Sequence, residues 1–280
     1  MNPQIDHNIA ASVFLWLDYV LAEKNAGFKN YTGTFTGSQT PLDGWNSYAA
    51  PQRQFVYDSS IPGSIVPTGV YIDSNFTPVS ATGRINYNKG EFISTAAQSA
   101  TVSGAYSYKE VNLYNIRVNE EYVLFDKIFS ENPKANGQRT EAFEWAAPCI
   151  LIRNRIGDNK TLCFDGLSST VIPIRLTLLA DTTYLYDNVR SILRDRKETF
   201  VPIFNTTELP FDFYGGLVSG SFDYTAARDT IQMDSSRLAY VKDVSISDFL
   251  MEVNSVIGTR VFGGFIDLDL ELLRFPRTNA

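Results

Sequence analysis

Every second residue of Asp267-Leu268-Asp269-Leu270-Glu271 is acidic, and the residues between them, starting from Ile266, are apolar. At the two-residue period of a β-strand, this sets three carboxylates on one face and an apolar strip on the other. Like charges in a row repel unless water or cations neutralise them, so the row has three chemical readings. It is a solvated sheet face. Or it is an ion-pair row between subunits, or the lining of an acidic channel. Or it binds a metal, or supplies the paired carboxylates of a glycosidase, which must flank a sugar cleft.

The chain offers little else for bond chemistry. His7 is the single histidine, and a Ser-His-Asp or Cys-His constellation would have to use it without an obvious partner in sequence. One histidine with Cys149 and Cys163 is too small a set for a zinc site of that type. The two cysteines could face each other across a hairpin as a disulfide, or sit as buried thiols in a reducing cytoplasm, which is the favoured expectation. No Gly-x-x-x-x-Gly-Lys-Ser/Thr phosphate loop occurs, and Gly215-Gly216-Leu217-Val218-Ser219-Gly220 precedes a strand-like run, so it reads as a hinge. The expectation is a protein without catalytic residues, cofactor or metal.

Composition supports a globular chain: 44% hydrophobic, 13% aromatic and 20% charged residues over 280 positions. That length buries a core without staples and suits one large domain or two small ones. The longest apolar runs fall well short of about 18 residues, so no membrane span is expected. The N-terminal segment lacks the basic region of a signal peptide, so the chain is expected to remain where it is made or to reach its destination by another route. Net charge is −7 and the pI about 4.8. The basic residues are scattered apart from Arg190, Arg194, Arg196 and Lys197, which argues against binding phosphate backbones by counterion release. An acidic surface that DNA passes without adhering remains compatible. Fifteen tyrosines and 19 phenylalanines could be sugar platforms, but without an export signal they read as core or interface anchors.

The elements that would position these residues follow from periodicity. Ile5, Ile9, Val13, Trp16, Leu17, Val20 and Leu21 recur at helical spacing, giving a helix over 5–24 with Asp6 in its first turn, Lys24 in its last and Gly27 beyond. Its wide apolar face, which includes Phe14 and Trp16, needs a cover from its own domain or a neighbouring subunit. Prolines 41, 51, 62, 67 and 78 deny long helices to 28–82, which reads as short strands and long ordered loops. Ile85 and Tyr87 alternate with polar residues, Asn88-Lys89-Gly90 turns, and Glu91-Phe92-Ile93 returns. Val102, Gly104, Tyr106 and Tyr108 alternate until the parity flips at Val111, which implies a bulge or bend. Strand then continues to about 125, and 131–141 is a polar loop. A hairpin is expected over 147–164, turning near Gly157-Asp158-Asn159. Residues 170–180 form a buried strand, with Pro173 at its start or at a sheet edge. Asp181 caps a helix to about Lys197, and 199–204 is strand again. The glycine-rich 213–230 reads as a mobile loop or projecting hairpin, followed by two strands. The expected fold is β-rich α+β: antiparallel sheets in a sandwich or barrel-like core, an N-terminal helix and one further helix packed on a sheet. The expected organisation is a helical arm over 1–27, a β-rich region over 28–145 and an α+β region over 146–280, or these joined as one continuous domain.

Gly83, Arg84, Ile85, Tyr87, Gly90, Val102, Tyr106, Tyr108 and Lys109 carry a pattern that resembles structural proteins of tailed bacteriophages, particularly of the head-to-tail connector and tail. Residues 172–204 resemble the strand-helix-strand unit of ring-forming neck and tail-terminator proteins. The resemblance implies a virion protein assembled in the host cytoplasm, forming a homo-oligomeric ring between capsid and tail. Its partners would be neighbouring neck or tail proteins, and DNA would pass through without sequence-specific binding. Another tail or baseplate protein is the alternative within that class, and a carbohydrate-binding or glycan-cleaving β protein the alternative outside it. On this reading Phe14, Trp16, Tyr106 and Tyr108 are interface anchors. Arg190, Arg194 and Lys197 would pair with acidic strands of an adjacent subunit, where Asp267, Asp269 and Glu271 are interface candidates, or simply form the wet face of their helix.

Overall fold

A computed structural model describes residues 5–23, 27–37, 45–79, 83–94, 101–116, 148–155, 157–161, 168–248 and 262–274. The fold is α+β and strand-rich, with antiparallel sheets, one of them curled into a half-barrel, an N-terminal helix and a helix packed on a sheet. In chain order, α1 (Ile5–Ala22) leads to β1 (Phe28–Thr34), β2 (Thr36–Gly37), β3 (Asn46–Ala49), β4 (Gly69–Ile72) and β5 (Asn75–Pro78). Next come β6 (Gly83–Asn86), β7 (Glu91–Ser94), β8 (Val102–Lys109), β9 (Asn112–Asn115), β10 (Cys149–Asn154), β11 (Asp158–Thr161) and β12 (Ser168–Ala180). The remainder is α2 (Thr183–Arg194), β13 (Phe200–Pro202), α3 (Tyr224–Gln232), β14 (Leu238–Asp248) and β15 (Phe262–Arg274).

The chain forms two compact units that interleave in sequence, where consecutive segments had been expected. One comprises 1–20, 111–206 and 228–280, and the other 21–110 and 207–227. The parity flip after Tyr108 marks the crossing. Val111 is buried, and the chain leaves the sheet of β8 for that of β9.

The second unit contains two four-stranded sheets, ordered β1-β8-β4-β5 and β2-β3-β7-β6. Alternation along β8 buries Val102, Gly104 and Tyr106. Tyr106 is fully buried against Phe55, with ring centroids 4.3 Å apart, and also meets Tyr31 and Phe35. The 88–90 turn forms as expected. Gly90 takes φ +66, and its amide donates to the Asn86 carbonyl at 2.9 Å. A side chain there would be strained and would meet the Gln52 carbonyl at 2.6 Å.

The first unit is built on a seven-stranded sheet. Its order is β13-β14-β15-β12-β10-β9, with β11 also on β12, and every pairing is antiparallel except β9 with β10. Ile172, Ile174, Leu176 and Leu178 on β12 face the same side as Ile266, Leu268 and Leu270 on β15, all at most 2% exposed. Burying each such side chain contributes about 1.5–3 kcal/mol. Helix α2 covers β12, β14 and β15 with Tyr186, Val189 and Leu193. Helix α1 is buried on most of its circumference. Ser12 Oγ donates to the Asn8 carbonyl and accepts from the Phe204 amide at 2.8 Å, and Thr206 Oγ1 donates to Asn8 Oδ1 at 3.0 Å. Cover for its apolar face therefore comes from its own chain.

Several expectations are corrected. Residues 149–161 do not fold back as a hairpin. Cys149 pairs with Leu179 and Thr161 with Ser168, so β10 and β11 run the same way along β12 with one extra residue between them, a bulge. Pro173 lies inside β12 and not at its start or at a sheet edge. Its carbonyl accepts from the Arg155 amide, and a residue's N–H and C=O point to the same side of a strand. The missing N–H thus faces the break between β10 and β11, where little pairing is lost. Thr182, not Asp181, caps α2, its Oγ1 accepting from the Leu185 amide at 3.3 Å. The glycine-rich stretch ends in a helix, α3, begun by Asp223 Oδ1 accepting from the Ala226 amide at 2.8 Å. Lys24, Cys163 and the expected 131–141 loop lie outside the described residues.

Candidate functional site

Asp212-Phe213-Tyr214-Gly215-Gly216 forms a heavily braced turn in the second unit. Asp212 Oδ1 accepts from the amides of Tyr214 (2.8 Å) and Gly216 (2.9 Å), which folds the chain over its own side chain. The Asp212 amide donates to the Gly216 carbonyl at 2.8 Å, and one step out the Val218 amide donates to the Pro210 carbonyl at 2.9 Å. Gly215 has φ +77, and a Cβ there would meet Asn86 Oδ1 at 2.5 Å, so glycine is required on two counts. Its carbonyl accepts from the Tyr87 amide at 3.0 Å. At the base of the turn, Phe211 packs edge-on against the buried Tyr57, centroids 4.6 Å apart. The stretch expected to be a hinge or mobile loop is cross-bonded throughout.

On this frame sits an aromatic cluster. Arg84 on β6 donates from Nη1 to Asp212 Oδ2 at 3.0 Å and lays its guanidinium 4.9 Å from the Tyr214 ring centre. Trp45 lies 6.4 Å from the same ring, and Phe213 meets it edge-on at 5.3 Å. Phe213 is 96% exposed, with Val218 and Tyr214 also exposed. Sequence reasoning named Arg84 as part of the 83–109 pattern but did not bring this cluster together. The readable signal was an Asp two residues before an aromatic and Gly-Gly, which marks an Asx turn with a left-handed position.

The acidic row falls on one face of β15, as expected, and most of its charge is met within its own sheet. Asp267 is held bidentately by Arg175 of β12, both contacts 2.7 Å, and the guanidinium stacks 4.7 Å from Phe265. Glu271 accepts from Ser169 Oγ at 2.5 Å and pairs with Lys242 at 3.3 Å. The Ser169 hydrogen bond first, then Lys242, holds its carboxyl below the ordinary value. Asp269 stands between Pro173 and Asp243, and Asp243 is taken by Lys197 at 3.0 Å. Arg190 pairs with Asp248 at 3.2 Å in its own chain, while Arg194 is exposed. The row is thus largely neutralised within one sheet. Among the described residues, no group of three His, Cys, Asp or Glu side chains is placed to hold a metal.

Trp16 and Tyr106, read as interface anchors, are core residues here, because the alternation and helical spacing that made them conspicuous turn them inward. Phe14 and Tyr108 are half-buried. His7 is exposed on α1. Cys149 is a free, fully buried thiol whose pKa burial pushes up to about 12, which keeps it protonated and unreactive. No helix among the described residues is long and apolar enough to cross a membrane.

One buried carboxyl was not anticipated. Asp58 is 4% exposed. Its Oδ1 accepts from the Ser60 amide (2.9 Å), Ser60 Oγ (2.8 Å) and the Tyr224 amide (3.0 Å), tying α3 to the 57–61 segment. Oδ2 is buried with no hydrogen-bond partner among the described residues. Burial, outweighing those bonds, raises its pKa above the ordinary 3.8. A carboxyl whose folded pKa is raised binds its proton more tightly in the native state. Its contribution is full below the unfolded pKa and is lost as pH rises through the folded one. Asp58→Asn keeps the Oδ1 acceptor and cannot ionise. Urea midpoints measured from pH 4 to pH 7 are expected to decline less for this variant than for the wild type. Equal declines would show that Asp58 does not titrate in that window.

No protein-family model, curated protein or solved structure matches this chain.

Proposed function

We propose that this chain works by docking, without bond chemistry, as a structural component of a tailed-phage virion. In this reading it forms a homo-oligomeric ring in the neck, between capsid and tail and around the DNA channel. Phe213 supports the docking reading. A phenylalanine 96% exposed forgoes burial worth about 1.5–3 kcal/mol. A turn fixed by hydrogen bonds, an ion pair and a stacked guanidinium also presents it with little left to order on binding. Fixed, protruding aromatics are the usual hot spots of protein interfaces. The neck assignment rests on the resemblance of 83–109 and 172–204. A net charge of −7 suits a wall along which DNA slides.

Light scattering and negative-stain imaging of the purified chain, alone and with phage head and tail parts, test this reading. Rings or partner-dependent particles are expected. Phe213→Ser is expected to weaken association about 30-fold, the effect of one hot spot of about 2 kcal/mol, with the fold intact. A chain that stays monomeric alone and beside every part would sink it.

A second reading, glycan binding, draws on Trp45, Tyr214 and Arg84. Among the described residues, only one N–H of the Arg84 guanidinium has a protein acceptor, which leaves donors for hydroxyls beside aromatic rings. Retention on immobilised glycans that Trp45→Ala abolishes would favour it.

A further inference from the structure

We infer that the outer edge of β1 pairs antiparallel with β1 of a second copy of this chain, about a two-fold axis at Tyr31. The inference rests on the assembly reading and deepens it by naming a contact between copies.

β1 is an outermost strand of its sheet and pairs with β8 over all seven of its residues without a bulge. The Glu110 amide donates to the Gly27 carbonyl and the Phe35 amide to the Val102 carbonyl, so odd-numbered residues turn their main chain towards β8. Main-chain groups alternate along a strand, so those of Phe28, Asn30, Thr32 and Thr34 point outward. These four have no main-chain partner among the described residues. Asn30, Thr32 and Thr34 are exposed, and Asn30 folds its side chain back onto Gly63 and Ser107.

Exposed edges are normally blunted by proline, charge or a bulge. The opposite edge of this sheet, β5, ends in Pro78, and the edge strand β13 carries Pro202. β1 has neither proline nor bulge, and its single charge, Lys29, pairs with Glu110 of its own chain. The strand is also complementary to itself. Antiparallel pairing centred on Tyr31 sets Phe28 against Thr34 and Asn30 against Thr32, so the outward groups meet one another in doubly bonded pairs. Lys29 then faces Gly33 of the other copy, so like charges are not opposed. Tyr31, 36% exposed, faces its own symmetry mate. Such a contact closes on itself, joining two copies, or two rings back to back.

The test uses the full chain. Cβ atoms directly opposed in the narrow antiparallel pair lie about 4.5–5.5 Å apart, close to disulfide reach. On mild oxidation, Tyr31→Cys is expected to give a disulfide-linked dimer well above the wild-type background. Thr34→Cys, which would face Phe28, is expected to stay at background. Thr32→Pro removes an N–H that β8 does not use. It is expected to halve the particle mass seen in sedimentation while keeping the unfolding midpoint. Equal cross-linking at 31 and 34, or an oligomer whose mass Thr32→Pro leaves unchanged, overturns the β1 contact and spares the assembly reading. A wild-type chain that sediments as a monomer throughout overturns both. Should Thr32→Pro fail to fold, the contrast between positions 31 and 34 decides.

Discussion

Tyr106→Ala is expected to destabilise the chain by about 3–5 kcal/mol, the range for deleting a buried aromatic ring, whereas Tyr106→Phe costs only about 1 kcal/mol. The difference follows from what the two parts of the side chain do. Its ring is fully buried and packs on Phe55, Phe35 and Tyr31, so alanine leaves a cavity that three other rings line. Collapse into that space is resisted, because Phe35 already presses on Gly104, where a Cβ would meet its ring at 2.9 Å. The hydroxyl makes one bond, donating to Gln52 Oε1 at 2.6 Å. Urea unfolding of the two variants checks the ratio. A cost below about 1 kcal/mol for the alanine variant would mean that the aromatic cluster is not the core of this unit.

The strand that carries this core was legible in sequence because β8 alternates without interruption, and period two is the strongest signal a half-buried strand gives. The same holds for Ile266, Leu268 and Leu270, and for the stripe of α2. What sequence could not show is the partner of each face. The acidic row reads as three exposed like charges until the pairing of β12 with β15 brings Arg175 opposite Asp267. That register joins residues 92 positions apart, and no local pattern encodes it. Trp16 and Tyr106 were misplaced for the complementary reason. An aromatic residue on an apolar stripe has the same local signature whether its cover is its own chain or another. The hairpin expected over 147–164 failed because Gly and Asp mark a bulge as readily as a turn. The Phe213 turn was missed because its glycines were weighed as flexibility. Held by Asp212, Asn86 and the Tyr87 amide, those glycines are what let the chain close tightly.

Gly264→Ala is expected to loosen α2 from its sheet, at a cost of about 1–3 kcal/mol, and Tyr186→Phe to relieve part of that cost. Gly264 lies on the apolar face of β15, directly beneath Tyr186. A Cβ there would collide with the phenol oxygen and sit 2.8 Å from the Ser247 carbonyl. The phenol cannot easily swing away. It donates to Asp248 Oδ1 at 2.5 Å, and the Arg190 guanidinium lies 4.9 Å from its ring centre while pairing with the same carboxylate. Burial first, then the Asp248 bond, raises its pKa, so the hydroxyl remains a donor through neutral pH. Tyr186→Phe alone loses that bond, at about 1 kcal/mol, but it also removes the atom closest to the new methyl group. The double variant should therefore be less destabilised than the sum of the singles by about 1 kcal/mol. Only part of the cost is recovered, because the Ser247 carbonyl remains in place. Additive costs would show that the glycine is needed for the backbone of β14 and β15 alone. The same Asp248 carboxylate that holds the phenol also pairs with Arg190 of this helix, so the two variants probe one braced contact between α2 and the sheet.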